Sequence, residues 1–401
     1  MTKTEGPLHG VRVVELSTVL MAPFAAQMMA DLGADVIKVE GPEGDTLRDI
    51  GARGTARVGP LFIHANRGKR SVTLDLKRPD AREAMLRLLK DVDCLIYNVR
   101  PQAMERLGLS YDTVRAANPE IVYAGMFGFD QRGPYAARAA YDDLIQGAAA
   151  IPWLSKRAGA EVPRYSPVAI ADRYCAQAGL AVILAALYHR QRTGEGQKVD
   201  IPMFETFTHM VLSDHLYGRT LGPEGKPGYD RLLTAERRPY ATSDGYVCLM
   251  VYNDRQWKQF FHAIGEPHLA QDPRLTDIGV RTRNIDYAYG LLADRMLRRT
   301  TAQWLELLAA ADIPSMPYNS IEDLLVDPQI VASGLVREVT DPHQGTTLAL
   351  NTPSAWSRTP PREGMPAPRP GQHTREVLAE AGFSESDIDR LEARGALART
   401  E

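Results

Sequence analysis

The sequence predicts an α/β fold: a parallel, doubly wound sheet followed by a smaller α+β domain. Three observations carry that prediction. Short β-branched runs alternate with stretches of helical periodicity through the first two hundred residues. Gly and Pro punctuate the joints where helices begin and end. Near Gly218 the alternation gives way to a turn-rich connection, and the chain beyond it mixes strand and helix in another order.

Taken in order, Val11-Arg-Val-Val-Glu-Leu16 reads as the first strand. Pro23 to Leu32 reads as a helix, opened by proline and closed by Gly33. Asp35 to Glu40 is the next strand, followed by the turn-like Gly41-Pro-Glu-Gly-Asp45. Ser71 to Leu76 is a third strand, and Pro79 to Leu89 is amphipathic at helical spacing. Cys94 to Val99 and Ile121 to Phe127 read as two more strands. A long, nearly uncharged helix runs from Asp172 to about Arg192 and stops at Thr193-Gly-Glu-Gly196; Gln197 to Ile201 returns as a strand. Ligands of such sheets sit beyond the C-terminal strand ends. Here those ends are Thr18 to Pro23, Gly41 to Asp45, Leu74 to Lys77, Asn98 to Pro101 and Gly128 to Pro134.

Residues 1–218 are therefore expected to form the large domain and 219–325 the small α+β domain, with 326–401 following it. The small domain shows a strand at Gly245 to Tyr252 and helices at Gln256 to Ile264 and Thr301 to Ala311. The Pro-rich run from Pro353 to Pro370 is too extended for a hairpin and reads as a traverse over a surface, of this chain or of a partner subunit. An acidic helix from Ser384 closes the sequence.

Bulk properties exclude several classes. Lys+Arg 47 against Asp+Glu 50 leaves no electrostatic case for nucleic acid or an acidic membrane surface. No apolar run of transmembrane length is evident, and the first residues lack a signal-like apolar stretch. Cys94, Cys175 and Cys248 are too few and too scattered for a disulfide framework, which suits a cytoplasmic protein. The histidines never fall at metal-ligand spacing; His209 and His215 are six apart, so no metal is expected. Neither GxGxxG nor GxxxxGK[ST] follows a strand, and GxSxG is missing.

Asp172 is the candidate working group. Read locally, it is the N-cap of the helix behind it, because Asp is favoured there. The same helix end carries partial positive charge, which would help keep a carboxylate ionised. An ionised carboxylate beside apolar walls is also a usable nucleophile toward an activated acyl group. Asn66-Arg-Gly-Lys-Arg70 is either a solvated turn or, with Lys77, Arg100 and Arg106, part of a cation cluster for a phosphate-bearing ligand. Tyr141-Asp-Asp143 reads as a capped helix start, with Tyr141 and Asp142 open to a further role; Cys175 reads as core.

Taken together, these segments resemble the class III CoA-transferases, whose superfamily includes formyl-CoA and carnitine-CoA transferases and α-methylacyl-CoA racemases. The resemblance is carried by Leu8-His-Gly-Val-Arg-Val, Asp31 to Glu40, Asn66 to Ser71, Tyr97 to Pro101, Arg106-Leu-Gly108, Gly128 to Pro134, Arg192 to Gln197 and Pro370 to Thr374, in that order. It implies a Rossmann-like large domain made of both chain ends, a small domain inserted between them, and an interlocked homodimer. It implies acyl-CoA and a small carboxylic acid as substrates, with no tightly bound cofactor, nucleic acid or membrane partner.

By the same resemblance Asp172 is the nucleophile that forms an aspartyl-acyl anhydride and then an aspartyl-CoA thioester. The CoA pocket would use Leu20 and Met21, then Leu74, Asp75 and Lys77, then Asn98, Val99, Arg100 and Arg106. Arg138, Ala139, Ala140, Tyr141 and Asp142 would lie nearer the thioester. Lys77, Arg100 and Arg106 are the candidate phosphate contacts. Three departures matter: Gly41 replaces a basic residue common after the second strand, Leu20 replaces the Gln of formyl-CoA transferase, and the segment Arg231 to Tyr240 lacks that enzyme's glycine-rich lid. The last two argue against oxalate as acceptor.

The racemases place a His where this chain has Tyr141. A phenol of pKa about 10 is a poor base near neutral pH, costing roughly 4 kcal/mol to ionise, so transferase is favoured over racemase. A non-catalytic CoA-binding protein is the third reading, and it would have no need of Asp172. Arg164, Tyr165, Arg237 and Arg238 are candidates for holding the second carboxylate of a dicarboxylate such as succinate, against a plain reading as surface charge.

Overall fold

Six strands form one parallel sheet: β1 (Arg12–Leu16), β2 (Asp35–Glu40), β3 (Arg70–Thr73), β4 (Cys94–Tyr97), β5 (Val122–Phe127) and β6 (Gln197–Pro202). The structure, a computed structural model, describes residues 5–51, 57–341 and 345–397. Strand order is β3-β2-β1-β4-β5-β6, and every pairing is parallel. The order reverses between β1 and β4, which is the switch point of a doubly wound sheet. β1 to β5 are buried almost throughout, as a sheet covered on both faces requires, whereas the edge strand β6 buries only Ile201.

The described residues fall into two compact units, 1–145, 168–208 and 328–401 in the first and 146–167 and 209–327 in the second. The second unit thus takes in 146–167, a stretch that the sequence pattern assigns to the large domain. In the first unit the helices are α1 (Met21–Asp31), α2 (Pro60–Asn66), α3 (Pro79–Leu88), α4 (Pro101–Arg106) and α5 (Tyr111–Ala117). They are followed by α6 (Asp142–Ala148), α7 (Ile151–Arg157, in the second unit) and α8 (Ile170–Thr193). One core joins Val14, Ile37, Leu95 and Tyr123 of the sheet to Met85 and Leu88 of α3 and to Val377 and Ile388 near the chain end. The C-terminal residues are therefore built into the first unit.

α1 begins two residues before the expected Pro23. Proline is tolerated in a first turn because the N–H it lacks has no intrahelical acceptor there. α8 is the one helix among the described residues long and apolar enough to cross a membrane, against the sequence-based expectation of no such run. Its hydropathy comes from many Ala with scattered Ile, Leu and Val, and it packs on α1, β5 and β6. Gly194 ends it at φ 74°, a left-handed C-terminal stop.

The Pro-rich run comes after a hairpin, Val336–Asp341 with Gly345–Leu350, that has no counterpart in the sequence-based expectation. The run itself lies along its own unit: Gly68 N–H donates to Pro366 O at 2.9 Å and Gly371 N–H to Ser71 Oγ at 2.9 Å.

The second unit carries a three-stranded antiparallel sheet, β7 (Tyr240–Ala241), β8 (Tyr246–Leu249) and β9 (Ser315–Pro317). Its core holds Trp257, Phe260, Tyr289 and Trp304. The helices Asp254–Ala263 and Thr301–Ala310 each open with a capping box, Asn253 with Gln256 and Thr300 with Gln303.

Candidate active site

Asp172 lies at the third residue of α8, within the first turn, and the N-cap is Ala169. The reading of Asp172 as the cap of its own helix is therefore overturned. Its backbone N–H instead donates to Asp142 Oδ1 at 2.9 Å, so Asp142 serves the end of α8. The backbone N–H of Met21, the first residue of α1, faces the Asp172 carboxylate and favours its ionised form. That donor has no acceptor within α1, which leaves it available.

The expectation that the helix end keeps this carboxylate readily ionised also changes. Burial, then the like charge of Asp142, push Asp172 up to about 7, and the opposing pull of Arg173 and of the Met21 N–H does not offset them. A carboxylate so placed is poorly solvated, and it is a stronger nucleophile for the same reason that it is a stronger base. Cys175, one turn on, is fully buried; its Sγ–H faces Met203 O at 3.4 Å, and burial pushes the thiol up to about 12. It is a core residue.

Asp172 lines a pocket of about 250 Å³ at the sheet's switch point. The turn after β1 contributes Thr18, Val19, Leu20 and Met21; the end of β4 contributes Asn98 and Arg100. The end of β5 gives Met126, Phe127 and Gly128, and the loop beyond gives Arg138, Ala139, Ala140 and Tyr141. Met203 completes the wall. Apolar walls with two guanidinium groups suit an acyl thioester carried on an anionic handle.

The turn after β1 is held from three sides. Lys38 Nζ donates to Ser17 O at 2.9 Å. Asn98 brackets Thr18, accepting its N–H at 3.1 Å and donating to its carbonyl at 2.7 Å. Asp45 Oδ1 accepts the Val19 N–H at 3.2 Å. Val19 has φ 68°, a conformation that costs a β-branched residue about 1–3 kcal/mol. Close packing shapes the opposite wall: a Cβ on Gly128 would stand 2.3 Å from Ala140 Cβ.

Of the residues the sequence singles out, Leu20, Met21, Asn98, Arg100, Arg138, Ala139, Ala140 and Tyr141 line the pocket with Asp172. Arg138 stacks its guanidinium over Tyr135 at 3.9 Å, and Arg100 Nη1 reaches Ala137 O at 3.3 Å. Asp142 meets Asp172 through the backbone bond described above. Leu74, Asp75, Lys77, Val99 and Arg106 are not in the pocket wall. Leu74 is core, the Asp75 carboxylate accepts the Lys77 N–H, Val99 packs against the core, and Lys77 and Arg106 are exposed. Thr18, Val19, Met126, Phe127, Gly128 and Met203 join the wall without having been candidates. Val19 and Gly128 fall within strand ends that the topology marks, whereas Met203 carries no local signal.

The basic turn Asn66 to Arg70 is neither solvated nor free for a ligand. Arg67 pairs with Asp31 at 2.5 Å, Lys69 with Glu15 at 2.5 Å, and Arg70 with Asp35 at 2.6 Å. Neighbouring carboxylates on β1, β2 and α1 claim these cations first. In the second unit, Arg231, Arg237 and Arg238 line a pocket of about 310 Å³ with Tyr240 and Tyr289; Arg238 pairs with Glu236 at 3.0 Å. Arg164 and Tyr165 are exposed and do not line it.

A doubly wound sheet with a half-buried carboxylate at its switch point defines a class, and comparison fixes which one. Residues 8–374 match the sequence profile of CoA-transferase family III, and the chain belongs to that family. It is 34% identical over 394 residues to the succinate–glutarate CoA-transferase of Agrobacterium fabrum (strain C58), spanning 95% of this chain and 97% of that one. A succinyl-CoA–D-citramalate CoA-transferase of Chloroflexus aurantiacus is 31% identical over 97% of each chain. A CAIB/BAIF family protein from Brucella suis superposes with TM-score 0.79 at 32% identity, covering 94% of this chain and 100% of its own. The protein is an enzyme of the CoA-transferase class.

Proposed function

We propose that this transferase moves CoA between an acyl-CoA and a free carboxylic acid through covalent intermediates on Asp172, with a dicarboxylate as one partner. The observation that carries the proposal is the Asp172 carboxylate itself, lining the switch-point pocket beside Met21, Met126 and Phe127 and facing Arg100 and Arg138. Ionised Asp172 adds to the donor thioester carbonyl and the C–S bond breaks, giving an aspartyl-acyl anhydride and CoA thiolate. The thiolate adds to the aspartyl carbonyl and expels the donor acid as its carboxylate. An acceptor carboxylate then attacks the aspartyl-CoA thioester and releases the thiolate. The thiolate takes the new acyl group and restores Asp172. Each step exchanges one activated acyl for another, so no nucleotide is consumed and no net proton moves.

The pocket favours this chemistry over α-carbon racemisation, because no histidine stands among its lining residues and Tyr141 faces the site instead. The dicarboxylate reading draws on the arginine-lined pocket of the second unit and on relatives named for succinate, glutarate and citramalate. Two copies are proposed to associate as the interlocked homodimer of the family. The apolar Val182 and Tyr188 that α8 leaves exposed would be covered there. A cytoplasmic location belongs to the same reading.

Isotope exchange tests the function. Labelled free acid should enter the acyl-CoA pool without loss of the α-proton. Proton washout without exchange indicates a racemase, and neither reaction indicates a binding protein. A panel of acids against succinyl-CoA and acetyl-CoA tests the substrate class; equal rates for mono- and dicarboxylates remove the dicarboxylate proposal.

A further inference from the structure

Beneath the pocket lies a group of six fully or almost fully buried charges that the reaction does not use: Glu15, Lys38, Lys69, Asp45, Glu40 and Arg48. Three are acidic and three basic, so the group is neutral. Lys38 Nζ meets Glu15 Oε1 at 2.9 Å and Asp45 Oδ2 at 3.1 Å. Lys69 Nζ meets Glu15 Oε2 at 2.5 Å. Glu40 takes both Arg48 Nε at 2.8 Å and Arg48 Nη2 at 2.5 Å, and its Oε1 accepts the Asp45 N–H at 3.1 Å. Burial alone would raise Glu15, but Lys38 and Lys69 override it and hold the carboxyl at about 2. Buried ion networks rarely add net stability over apolar packing, so their retention points to a geometric task.

That task is visible where the network meets the backbone. Its two bonds to the backbone of the turn after β1 are Lys38 to Ser17 O and Asp45 to the Val19 N–H. Val19 is the strained residue of that turn, and Met21, two residues on, lines the pocket with Asp172, where its N–H favours the ionised carboxylate. We propose that Asp45 is a positioning residue for CoA transfer: by holding Val19 in its left-handed conformation it aims the Met21 N–H at the Asp172 carboxylate. The inference rests on Asp172 as the nucleophile.

Loss of Asp45 lets Val19 relax toward ordinary φ, which turns the Met21 N–H away. Asp172 then lacks that backbone donor, while Asp142 and Arg173 still face it and Arg100, Arg138 and Tyr141 still line the pocket. The carboxylate becomes harder to ionise, so the acid limb of kcat/KM moves to higher pH. Glycine adopts the left-handed conformation without cost, so Val19→Gly should make the turn independent of Asp45.

The test is the pH profile of kcat/KM for the full-length wild type, Asp45→Ala and Asp45→Ala/Val19→Gly, with isotope exchange as the assay. Asp45→Ala is expected to raise the limb by about half a pH unit, seen as a roughly threefold loss at pH 6 with little loss at pH 8.5. The double variant is expected to recover the wild-type limb. An Asp45→Ala enzyme that is less heat-stable but keeps its limb overturns the proposal, as does a double variant that does not recover. Should Asp45→Ala fail to fold, Asn98→Ala removes a second of the three clamps on the turn without touching the buried charges. The same rise, reversed by Val19→Gly, is then expected, and an unmoved limb overturns the proposal. Asp172→Asn, run alongside, separates the two ideas: retained transfer in that variant removes the nucleophile itself.

Discussion

Asp142→Asn should shift the pH dependence of transfer toward acid. Asp142 contributes to Asp172 in two separable ways, since its Oδ1 accepts the Asp172 N–H while its charge raises the Asp172 carboxyl. Asparagine keeps the acceptor and removes the charge. Burial remains and is the larger cause, so the Asp172 limb should fall by about one pH unit rather than return to the ordinary carboxylate value. At pH 5.5, with the carboxyl at about 7, ~3% is ionised; at about 6 the share is ~24%, so relative kcat/KM should rise roughly eightfold. At pH 8.5 both enzymes are almost wholly ionised and should differ by less than about twofold. Substrate ionisation is common to both enzymes and cancels in the ratio. The two carboxylates interact, so the limb is a property of the pair. The assay is initial-rate exchange of labelled acid into acyl-CoA from pH 5 to 9, below saturation. An unmoved acid limb, or an equal loss at every pH, would refute the electrostatic reasoning.

Asp172→Asn should abolish transfer yet stabilise the fold above neutral pH. A carboxyl held at about 7 rather than 3.8 disfavours the ionised folded state. The cost is missing below the unfolded pKa near 4 and complete above about 7, at most ~4 kcal/mol and about 1–2 kcal/mol once partial solvent access is allowed for. Tm should therefore rise by about 2–5 °C at pH 8 and not at pH 4; equal shifts at both pH values count against it. Arg48→Met should destabilise by about 3–5 kcal/mol in urea melts, because it leaves Glu40 buried without its cation and frees the Pro368 carbonyl that Arg48 Nη1 holds at 2.8 Å. Gly128→Ala should raise the KM for acyl-CoA at least tenfold with a smaller effect on Tm, since the new methyl would displace Ala140 from the pocket wall. An unchanged KM there means that wall does not touch the substrate.

How much of the molecule is legible in the residues alone depends on how local the causes are. β2 is legible because a β-branched run between Gly33 and Gly41 needs no tertiary help to be recognised, and β6 because Val199 and Ile201 alternate with polar residues after Gly196. Helix Ile285–Met296 is not, since it does not open with a side-chain cap bond that would announce it. At the site, the strand ends after β1, β4 and β5 follow from topology, and they line the pocket. The basic turn at Asn66 to Arg70 misleads, because its partners Glu15, Asp31 and Asp35 are distant in sequence. Val19 looks like any apolar residue; its positive φ goes with a bond to Asp45, 26 residues away, that its own neighbours do not reveal. Asp172 is evident as a candidate, but its raised pKa depends on burial and on Asp142, neither of which its own neighbours specify.

The central claim is that Asp172 carries the acyl group and then CoA as covalent intermediates. Enzyme incubated with donor acyl-CoA, quenched with hydroxylamine and digested should yield a hydroxamate on the peptide containing Asp172, and Asp172→Asn should yield none. Sustained turnover with no modification at Asp172, or a hydroxamate on another residue, would contradict it.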